Sequence, residues 1–372
     1  MKVLHLCAYY LYSHMFSHLT DSLAEQQVDC DIFVPTHKKT RMAIVPAENV
    51  YHPVCFNYYD RVWFPLKSSK IYNAVVKTMD VNQYDVLHAH TVFTDGNVAW
   101  KLHQKYGKPY IVAVRSTDIE VFFKYMIHLR GRGLKIMANA SQIVFLSESH
   151  RRYLIETQVP QAQRSEFYAK SVVIPNGIAP VFHNNKAAYR QEPPKSTIKL
   201  ITVGDISKRK NQLVVCAAAK ILMQRNHDVT YTVIGRAVAQ DMLKKLTSDQ
   251  LVSYHPFMPQ DKLIDEYRLS DVFVLASLKE TFGLVYAEAM SQGLPVVYTK
   301  DEGFDGQFPE GKVGFRVDPT NPVEIADAVE GILNNYSAIS KECVDGIRKF
   351  NWDNIAETYK TMYEQYSQAN GQ

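Results

Sequence analysis

Residues 272–298 have the sequence VFVLASLKETFGLVYAEAMSQGLPVVY. This stretch begins with a continuous apolar run at 272–276 and ends with a second one at 296–298, and each run predicts a buried strand. A loop and a helical segment lie between them, and a turn that contains Gly293 and Pro295 closes the helix. A helix that joins two buried strands is the crossover unit of a parallel sheet. The stretch therefore predicts the α/β fold class.

The same alternation of short apolar runs and longer helical patterns extends in both directions over nearly the whole chain. The predicted strands lie at residues 3–8, 31–35, 86–89, 110–114, 143–146 and 172–174, and then at 199–203, 229–234, 252–254, 272–276 and 296–298. A segment rich in Pro, Asn and Gly at 175–199 interrupts this alternation, as domain boundaries do. We therefore expect two doubly wound parallel sheets in series, with a ligand-binding cleft at the carboxyl ends of their strands.

The composition excludes several classes of protein. The chain has 372 residues, of which 46% are hydrophobic and 22% charged, as in a folded protein of two domains and unlike a disordered chain or a fibre. The net charge of +4 does not indicate a nucleic-acid partner. Five scattered cysteines suit a reduced, cytoplasmic protein, and no stretch is long and apolar enough for a membrane-spanning helix. The 23 tyrosines are compatible with a core, a wet binding cleft or contact with a membrane interface.

The loop at 277–283 has the residues of an anion site. Thr281 can cap the following helix, Gly283 lets the backbone approach a ligand closely, and the first N–H groups of a helix have no partner within it. Glu280 lies at the mouth of this site, and Glu288 lies more than one turn into the helix. The two carboxylates would then serve different parts of one elongated ligand. The alternative is a charge that complements the helix dipole and a solvated glutamate.

The segment from Glu280 to Glu288 resembles the E-x7-E signature of retaining GT-B glycosyltransferases, in particular glycosyltransferase family 4. The sequence ETFGLVYAEAMSQGLPVV carries this resemblance. By resemblance, Glu280 would contact hydroxyls of the donor sugar, and Glu288 would hold the ribose of the nucleotide through its two hydroxyls. The backbone N–H groups that would bind the diphosphate belong to Phe282, Gly283, Leu284 and Val285.

The resemblance also implies the organisation of the chain. A GT-B fold has two Rossmann-like doubly wound domains that face each other across a cleft. Residues 1–178 would form the acceptor-binding domain, and residues 179–352 would form the domain that binds a nucleotide-sugar donor. The sequence FNWD at 350–353 resembles the point where the last helix of the family crosses back. We therefore expect a C-terminal helix at about 353–372 to pack on the first domain.

The segment 201–211, ITVGDISKRKN, provides candidate cations for the donor diphosphate. A predicted strand ends at Gly204, and Lys208, Arg209 and Lys210 follow before a helix. Cations at this position suit a diphosphate leaving group, whereas a solvated run of charges is the alternative. The family pattern is V-G-R-L-x-x-x-K-G, so Lys210 matches its lysine. Asp205 stands where the family usually has arginine, and Arg209 is the candidate substitute.

Candidate acceptor contacts lie in the first half of the chain. His90 follows a predicted strand in the sequence DVLHAH, and a metal bound by His88 and His90 would need further ligands, so no metal site is predicted. The sequence AVRSTD at 113–118 resembles the H-G-T-D segment of the family, with Arg115 in place of histidine. Arg115 would contact phosphate or acceptor, and Asp118 is either an acceptor contact or a helix cap.

The loop after the first strand is also placed on the acceptor side. The family usually has a glycine-rich loop here, whereas this chain has Tyr10 and Tyr12. Both tyrosines are predicted to stack on a sugar acceptor or to contact a membrane interface. The mixed aromatic and cationic stretches at 61–70 and 122–135 suit an anionic membrane surface, or alternatively an ordinary packed helix and loop.

The resemblance implies that the chain transfers a sugar, with retention, from a nucleotide-diphosphate sugar to an acceptor hydroxyl, without a metal or a cofactor. The acceptor would be a saccharide or a lipid-linked saccharide in the synthesis of a bacterial envelope, capsule or exopolysaccharide. A cytoplasmic protein with such an acceptor is expected to contact the inner face of the membrane. The alternative function is that of a non-catalytic GT-B homologue acting as a partner subunit, because Asp205, Arg115 and the missing glycine loop depart from the family pattern.

Overall fold

The computed structural model describes residues 1–40, 42–61, 63–194 and 196–368. Val62, in the aromatic stretch at 61–70, and the last four residues of the expected C-terminal helix lie outside the described residues. The chain forms two compact units. Unit 1 consists of Met1–Leu146, His150–Gly177 and the segment from Trp352 to the end of the described chain, and unit 2 consists of Ser147–Ser149 and Ile178–Asn351.

Unit 1 contains a seven-stranded sheet in which all neighbouring strands are parallel. In chain order its strands are β1 (Lys2–Leu6), β2 (Asp29–Phe33), β3 (Val50–Tyr51), β4 (Val86–Ala89), β5 (Tyr110–Val114), β6 (Gln142–Phe145) and β7 (Ser171–Val173). Their order across the sheet is β3-β2-β1-β4-β5-β6-β7. The first helices of the chain are α1 (His14–Glu25), α2 (Phe64–Thr78), α3 (Thr94–Tyr106), α4 (Arg130–Asn139), α5 (Glu148–Gln158) and α6 (Arg164–Ala169).

The sheet of unit 1 is buried on both faces because successive side chains of a strand point to opposite sides. Leu4 and Leu6 of β1 belong to one apolar cluster, and Val3 of the same strand belongs to another. The second cluster includes residues of α14 (Trp352–Gln368), which packs on α1. Ser22 Oγ donates to Asp353 Oδ1 at 2.9 Å across this helix pair. The C-terminal helix is therefore part of unit 1.

Unit 2 contains a six-stranded parallel sheet of order β10-β9-β8-β11-β12-β13. Its strands are β8 (Thr197–Val203), β9 (Asp228–Ile234), β10 (Val252–His255), β11 (Val272–Leu275), β12 (Val296–Thr299) and β13 (Gly314–Val317). Its helices are α7 (Pro180–Asn184), α8 (Gln212–Gln224), α9 (Gln240–Thr247), α10 (Gln260–Leu269), α11 (Leu284–Ser291), α12 (Pro322–Asn334) and α13 (Tyr336–Gly346). Two parallel sheets with helices confirm the predicted α/β class.

Two edge strands, β3 and β13, were not predicted from the sequence. β3 has only two residues, and Tyr51 is exposed, so no apolar run marks it. β13 begins at Gly314, which predicts a turn. In the structure a Cβ at Gly314 would lie 1.7 Å from the carbonyl oxygen of Val296, so this glycine allows the close approach of β12 and β13. No helix in the described part of the chain is both long and apolar enough to cross a membrane.

Candidate functional site

The candidate donor site lies at the carboxyl ends of β8, β9 and β11, which are neighbours in the sheet of unit 2. Ligands of such sheets bind outside this edge, where the loops after the strands meet. Gly204 and Gly235 follow β8 and β9 with φ of +151° and +154°. A Cβ at Gly235 would lie 2.0 Å from the carbonyl oxygen of Gly204. The glycines therefore bring the two loops into direct backbone contact.

A buried ion pair joins the loop after β8 to the loop after β11. Lys210 Nζ lies 2.5 Å from Glu280 Oε2, and the two residues are 9% and 7% exposed. Ser277 Oγ donates to the same carboxylate oxygen at 3.2 Å, and the N–H of Thr281 donates to Oε1 at 3.2 Å. One cation and two neutral donors thus compensate the loss of hydration that a buried carboxylate suffers. The fold brings together two of the predicted catalytic residues.

The loop after β12 holds the Glu280 loop in place, which the sequence analysis did not predict. The N–H of Glu280 donates to Glu302 Oε2 at 2.8 Å, while Lys279 Nζ lies 2.7 Å from Glu302 Oε1. The N–H of Gly303 donates to the carbonyl oxygen of Glu280 at 3.1 Å. A Cβ on Gly303 would lie 2.2 Å from the carbonyl oxygen of Thr281. The sequence signal for this loop is the pair Glu302-Gly303, which resembles a glycine turn that lines the donor pocket of the family.

Helix α11 begins at Leu284, directly after Gly283, whose φ of +77° lies in the left-handed region. The prediction that Thr281 caps this helix is wrong, because Gly283 occupies the N-cap position and offers no side chain. The N–H groups of Leu284 and Val285 belong to the first turn and have no carbonyl within the helix to bond. The predicted anion-binding groups are thus located at the start of α11.

Two other predicted donor-side residues have their side chains occupied. The ring of Phe282 is buried and packs edge-on against Phe350 with a centroid distance of 5.8 Å, so only its backbone can bind a ligand. Arg209 Nη1 donates to the carbonyl oxygen of Lys279 at 3.3 Å, and its own carbonyl accepts the N–H of Leu278 at 2.8 Å. Arg209 therefore links the cationic loop to the loop that carries Glu280.

Glu288 lies inside α11 with a partly buried side chain. The hydroxyl of Tyr267 approaches Glu288 Oε2 at 3.5 Å. Burial raises the pKa of Glu288 to about 7, because a low-dielectric environment disfavours the charged carboxylate. Its protonated and ionised forms are therefore both populated near neutral pH.

His90, Arg115 and Asp118 lie at the carboxyl ends of β4 and β5 in unit 1 and are bonded to one another. Arg115 Nε donates to the carbonyl oxygen of His90 at 3.2 Å, and Nη1 donates to Asn176 Oδ1 at 2.9 Å. Asp118 accepts the N–H groups of Arg115 at 2.9 Å and of Phe93 at 3.2 Å. Asp118 is 1% exposed, and burial raises its pKa to about 6. Its carboxylate thus joins two loops instead of capping the helical segment that it begins.

The two predicted sugar-stacking tyrosines differ in exposure. Tyr10 is 5% exposed, and its hydroxyl lies 3.1 Å from Thr20 Oγ1. Its ring belongs to the core of unit 1, which corrects the expectation that it stacks on a ligand. Tyr12 is 46% exposed and stays a candidate contact for the acceptor.

Among the described residues, three buried imidazoles could bind a metal ion, since His5, His88 and His90 each offer a ligand atom within 4.8 Å of the others. His5 is the third ligand that the sequence analysis did not identify, and it is paired with His88 in the β1–β4 register. Burial lowers the pKa of all three rings, to about 3 for His5. His5 Nδ1 lies 3.0 Å from His90 Nε2, so a metal ion would have to replace this direct hydrogen bond.

Two family models match the chain. The model described as Glycosyltransferase Family 4 matches residues 14–181, and the model described as Glycosyl transferases group 1 matches residues 185–350. A D-inositol 3-phosphate glycosyltransferase from Arthrobacter sp. (strain FB24) is 26% identical over 308 residues, which are 76% of this chain and 72% of that protein.

Solved structures share the fold. Sucrose-phosphate synthase from Thermosynechococcus elongatus aligns with a TM-score of 0.75 and 18% identity, covering 99% of this chain and 100% of that one. HepE from Anabaena, in complex with UDP-glucose, aligns with a TM-score of 0.66 and 16% identity, covering 98% of this chain and 100% of that one. At such identities these likenesses show the architecture alone.

Proposed function

The chain belongs to the GT-B glycosyltransferases of family 4 and group 1, and on that premise we propose that it transfers a sugar with retention from a nucleotide-diphosphate sugar to an acceptor hydroxyl. The observation that carries the proposal is the buried Lys210–Glu280 pair beside the first turn of α11. A cation, a carboxylate and free backbone N–H groups then lie at one edge of the sheet. These are the groups that an anionic donor with sugar hydroxyls requires.

Each group has its own part in the reaction. Lys210 and the first N–H groups of α11 bind the diphosphate, whose negative charge grows as the bond to the sugar breaks. Glu280 accepts hydrogen bonds from hydroxyls of the donor sugar, and Glu288 accepts those of the ribose. The acceptor attacks from the face that the diphosphate leaves, and the diphosphate takes the proton of the acceptor hydroxyl. In this mechanism protein groups alone stabilise the negative charge of the leaving diphosphate, so no resident metal is needed.

The acceptor is proposed to be a saccharide or lipid-linked saccharide of a bacterial envelope, capsule or exopolysaccharide. Unit 1 would bind it through the loops after β1 and β5, where Tyr12 is exposed and Arg115 is half-buried. The guanidinium of Arg115 is a hydrogen-bond donor without an acceptor atom, so it would contact phosphate or a sugar hydroxyl and would not act as a base.

The proposal is tested with a panel of UDP-, GDP- and CMP-sugars. One of them should raise the melting temperature, and its slow hydrolysis without acceptor should release the α- or β-sugar that matches the donor, observed by NMR before mutarotation. EDTA should leave this rate unchanged. If a donor binds but neither the wild type nor Glu280→Ala hydrolyses any sugar, the partner-subunit alternative is favoured. If no nucleotide sugar binds, the donor-site assignment is wrong.

The affinity for the donor should rise with pH between 6 and 8. The ribose hydroxyls need an ionised Glu288, and with a pKa of about 7 its ionised fraction rises from about a tenth to about nine tenths over this range, so the affinity rises by up to roughly tenfold. Calorimetric titration of the donor at several pH values measures this change. In Glu288→Gln the affinity should be lower at pH 8 and independent of pH. An unchanged pH profile in that variant would contradict the role of Glu288.

Stability should change with pH in the opposite direction. Because the folded state raises the pKa of Glu288, it binds this proton more tightly than the unfolded chain does. The contribution of this group is therefore greatest at acid pH and is lost as the pH rises through about 7. The free energy of unfolding of Glu288→Gln should lack that decrease.

Exposed aromatic side chains of unit 1 support membrane contact. Phe64 and Phe122 join the two aromatic stretches, with ring centroids 6.1 Å apart. Near them in the sequence, Tyr59 is 84% exposed, Trp63 is 64% exposed and Tyr125 is 71% exposed. Aromatic rings of this kind, together with the lysines and arginines of these stretches, suit the interface of an anionic membrane.

The double variant Tyr59→Ser/Trp63→Ser should bind vesicles that contain phosphatidylglycerol at least roughly tenfold more weakly than the wild type, because burying even one large apolar side chain contributes about 1.5–3 kcal/mol and about 1.4 kcal/mol is a factor of ten. Co-sedimentation measures this binding. Phe257→Ser is the matched control, since Phe257 is 71% exposed in unit 2. Equal binding of all three proteins would argue that the aromatic stretches only pack within the protein.

A further inference from the structure

The loops after β8 and β9 carry a second ion pair, between Asp205 and Arg236. Arg236 Nε donates to Asp205 Oδ1 at 2.9 Å, and Nη2 donates to Oδ2 at 3.0 Å. The pair is bidentate, with side chains that are 70% exposed for Arg236 and 37% exposed for Asp205. Two parallel hydrogen bonds fix the plane of the guanidinium. Neither residue lies in the E-x7-E segment.

The backbone beneath this pair is held in place. The N–H of Ile206 donates to the carbonyl oxygen of Arg236 at 2.8 Å, and the N–H of Ala239 donates to the carbonyl oxygen of Ile206 at 3.0 Å. Gly235 packs against the carbonyl of Gly204, as described above. These contacts fix the position of the Arg236 backbone relative to the end of β8, near which the side chain of Lys210 also lies.

The two cations flank the same strand end. Lys210 Nζ lies 3.8 Å from the position that a Cβ of Gly204 would occupy, and Asp205 is the next residue. Lys210 pairs with Glu280 of the loop after β11, and Arg236 of the loop after β9 pairs with Asp205, while β9 and β11 are the two neighbours of β8. Asp205 accepts hydrogen bonds from Nε and Nη2 of Arg236. In the described part of the chain no group accepts a hydrogen bond from the remaining amino group of Arg236, Nη1. A guanidinium can bind a second anion through that edge.

We propose that Arg236 binds the donor diphosphate together with Lys210, and that Asp205 is a positioning residue that orients the guanidinium. This inference rests on the proposed function of the site and adds a residue to it. The bidentate pair sets the plane of the guanidinium at the carboxyl edge of the sheet, where ligands of this fold bind. Arg209, whose Nη1 donates to the carbonyl of Lys279 at 3.3 Å, is the competing candidate for this contact.

The test compares Arg236→Ala with Arg209→Ala and with the matched control Arg225→Ala. Arg225 is an exposed arginine of unit 2 that pairs with Asp327 and Glu330 instead. UDP, GDP and ADP, and separately inorganic pyrophosphate, are titrated into each protein in the same buffer. Arg236→Ala should bind the nucleotide and pyrophosphate roughly tenfold more weakly than the wild type, since hydrogen bonds to charged groups are the strong ones. Arg225→Ala should stay within roughly twofold of the wild type, and Arg209→Ala should lose less affinity than Arg236→Ala.

Variants of Asp205 distinguish an Arg236 that binds the ligand from an Arg236 that only pairs with Asp205. Asp205→Asn keeps an oxygen to hold the guanidinium and removes a negative charge, so affinity for pyrophosphate should be equal to or higher than that of the wild type. Asp205→Ala loses the orientation and should bind more weakly than Asp205→Asn. If the ion pair were only structural, Asp205→Asn and Arg236→Ala would both remove its charge attraction and would lower the melting temperature by similar amounts. Thermal unfolding of both variants measures this contribution to stability.

The outcomes distinguish this inference from the function on which it rests. If the wild type binds a nucleoside diphosphate but Arg236→Ala binds it equally well, the role of Arg236 is overturned and the donor site stands. If Arg209→Ala is the variant that loses more affinity, Arg209 is the second cation and the inference is wrong. If the wild type binds none of the probes, the donor site and the inference fail together.

Discussion

Glu280→Gln should lower the rate of sugar transfer by roughly 100-fold or more, because removing one group that stabilises charge in the transition state typically costs that much. The reason lies in the geometry around the carboxylate. Glu280 holds Lys210 at 2.5 Å, and in our proposal the two residues meet the sugar and the diphosphate of the donor. Glutamine preserves the size of the side chain but carries no charge. Donor binding should therefore fall much less than the rate.

The choice of glutamine keeps the experiment interpretable. Glu280→Ala would leave Lys210 buried without its partner, which costs about 3–5 kcal/mol of folding free energy. Glu330→Gln is the control, because Glu330 also pairs with a cation, Arg225, at 2.6 Å in unit 2 but outside the site. The initial rate at saturating donor measures the effect. A Glu280→Gln protein with wild-type rate would refute the role of Glu280 in the reaction.

Gly303→Ala should weaken donor binding by roughly tenfold or more and destabilise the protein by about 1–3 kcal/mol, as overpacking of a filled space does. A Cβ on Gly303 would lie 2.2 Å from the carbonyl oxygen of Thr281 and 2.6 Å from the Cα of Phe282. Both atoms are backbone, so the loop between Glu280 and α11 must shift. This loop sets the position of Glu280 and of the first N–H groups of the helix.

The control for this prediction is Gly131→Ala. Gly131 has no atom within 4 Å of its Cβ position and lies in α4, where alanine is a better helix former. The melting temperature of Gly131→Ala should be equal to that of the wild type or slightly higher. Calorimetric titration with the donor and thermal unfolding are measured on both variants. Wild-type affinity in Gly303→Ala would show that the contact between the two loops is dispensable for the donor site.

Local patterns predicted the fold class and the family correctly. β11 and β12 are continuous apolar runs because strands covered on both faces leave no side for polar residues. Glu280 and Glu288 lie in one loop and the helix that follows it, so a short segment of sequence contains both carboxylates at their spacing. Even here the cap was mispredicted, since Gly283 and not Thr281 is the N-cap of α11.

Exposure was harder to predict than secondary structure. Tyr10 and Tyr12 are two residues apart in one loop, yet Tyr10 is 5% exposed and Tyr12 is 46% exposed. Their difference depends on what packs over the loop, and Tyr10 reaches Thr20 on α1. Composition and neighbouring sequence contain no information about that partner.

The apolar pattern along the chain was thus sufficient to predict two parallel sheets, and the E-x7-E segment was sufficient to predict the family. Three contacts depended on the order of the strands. Arg236 reaches Asp205 because β9 lies beside β8, His5 reaches His88 and His90 because β1 lies beside β4, and Glu302 reaches Glu280 because β12 lies beside β11. Hydrophobic periodicity reports whether a strand is buried and does not specify its neighbour. Residues distant in sequence meet at the carboxyl edge only after the sheet has assembled.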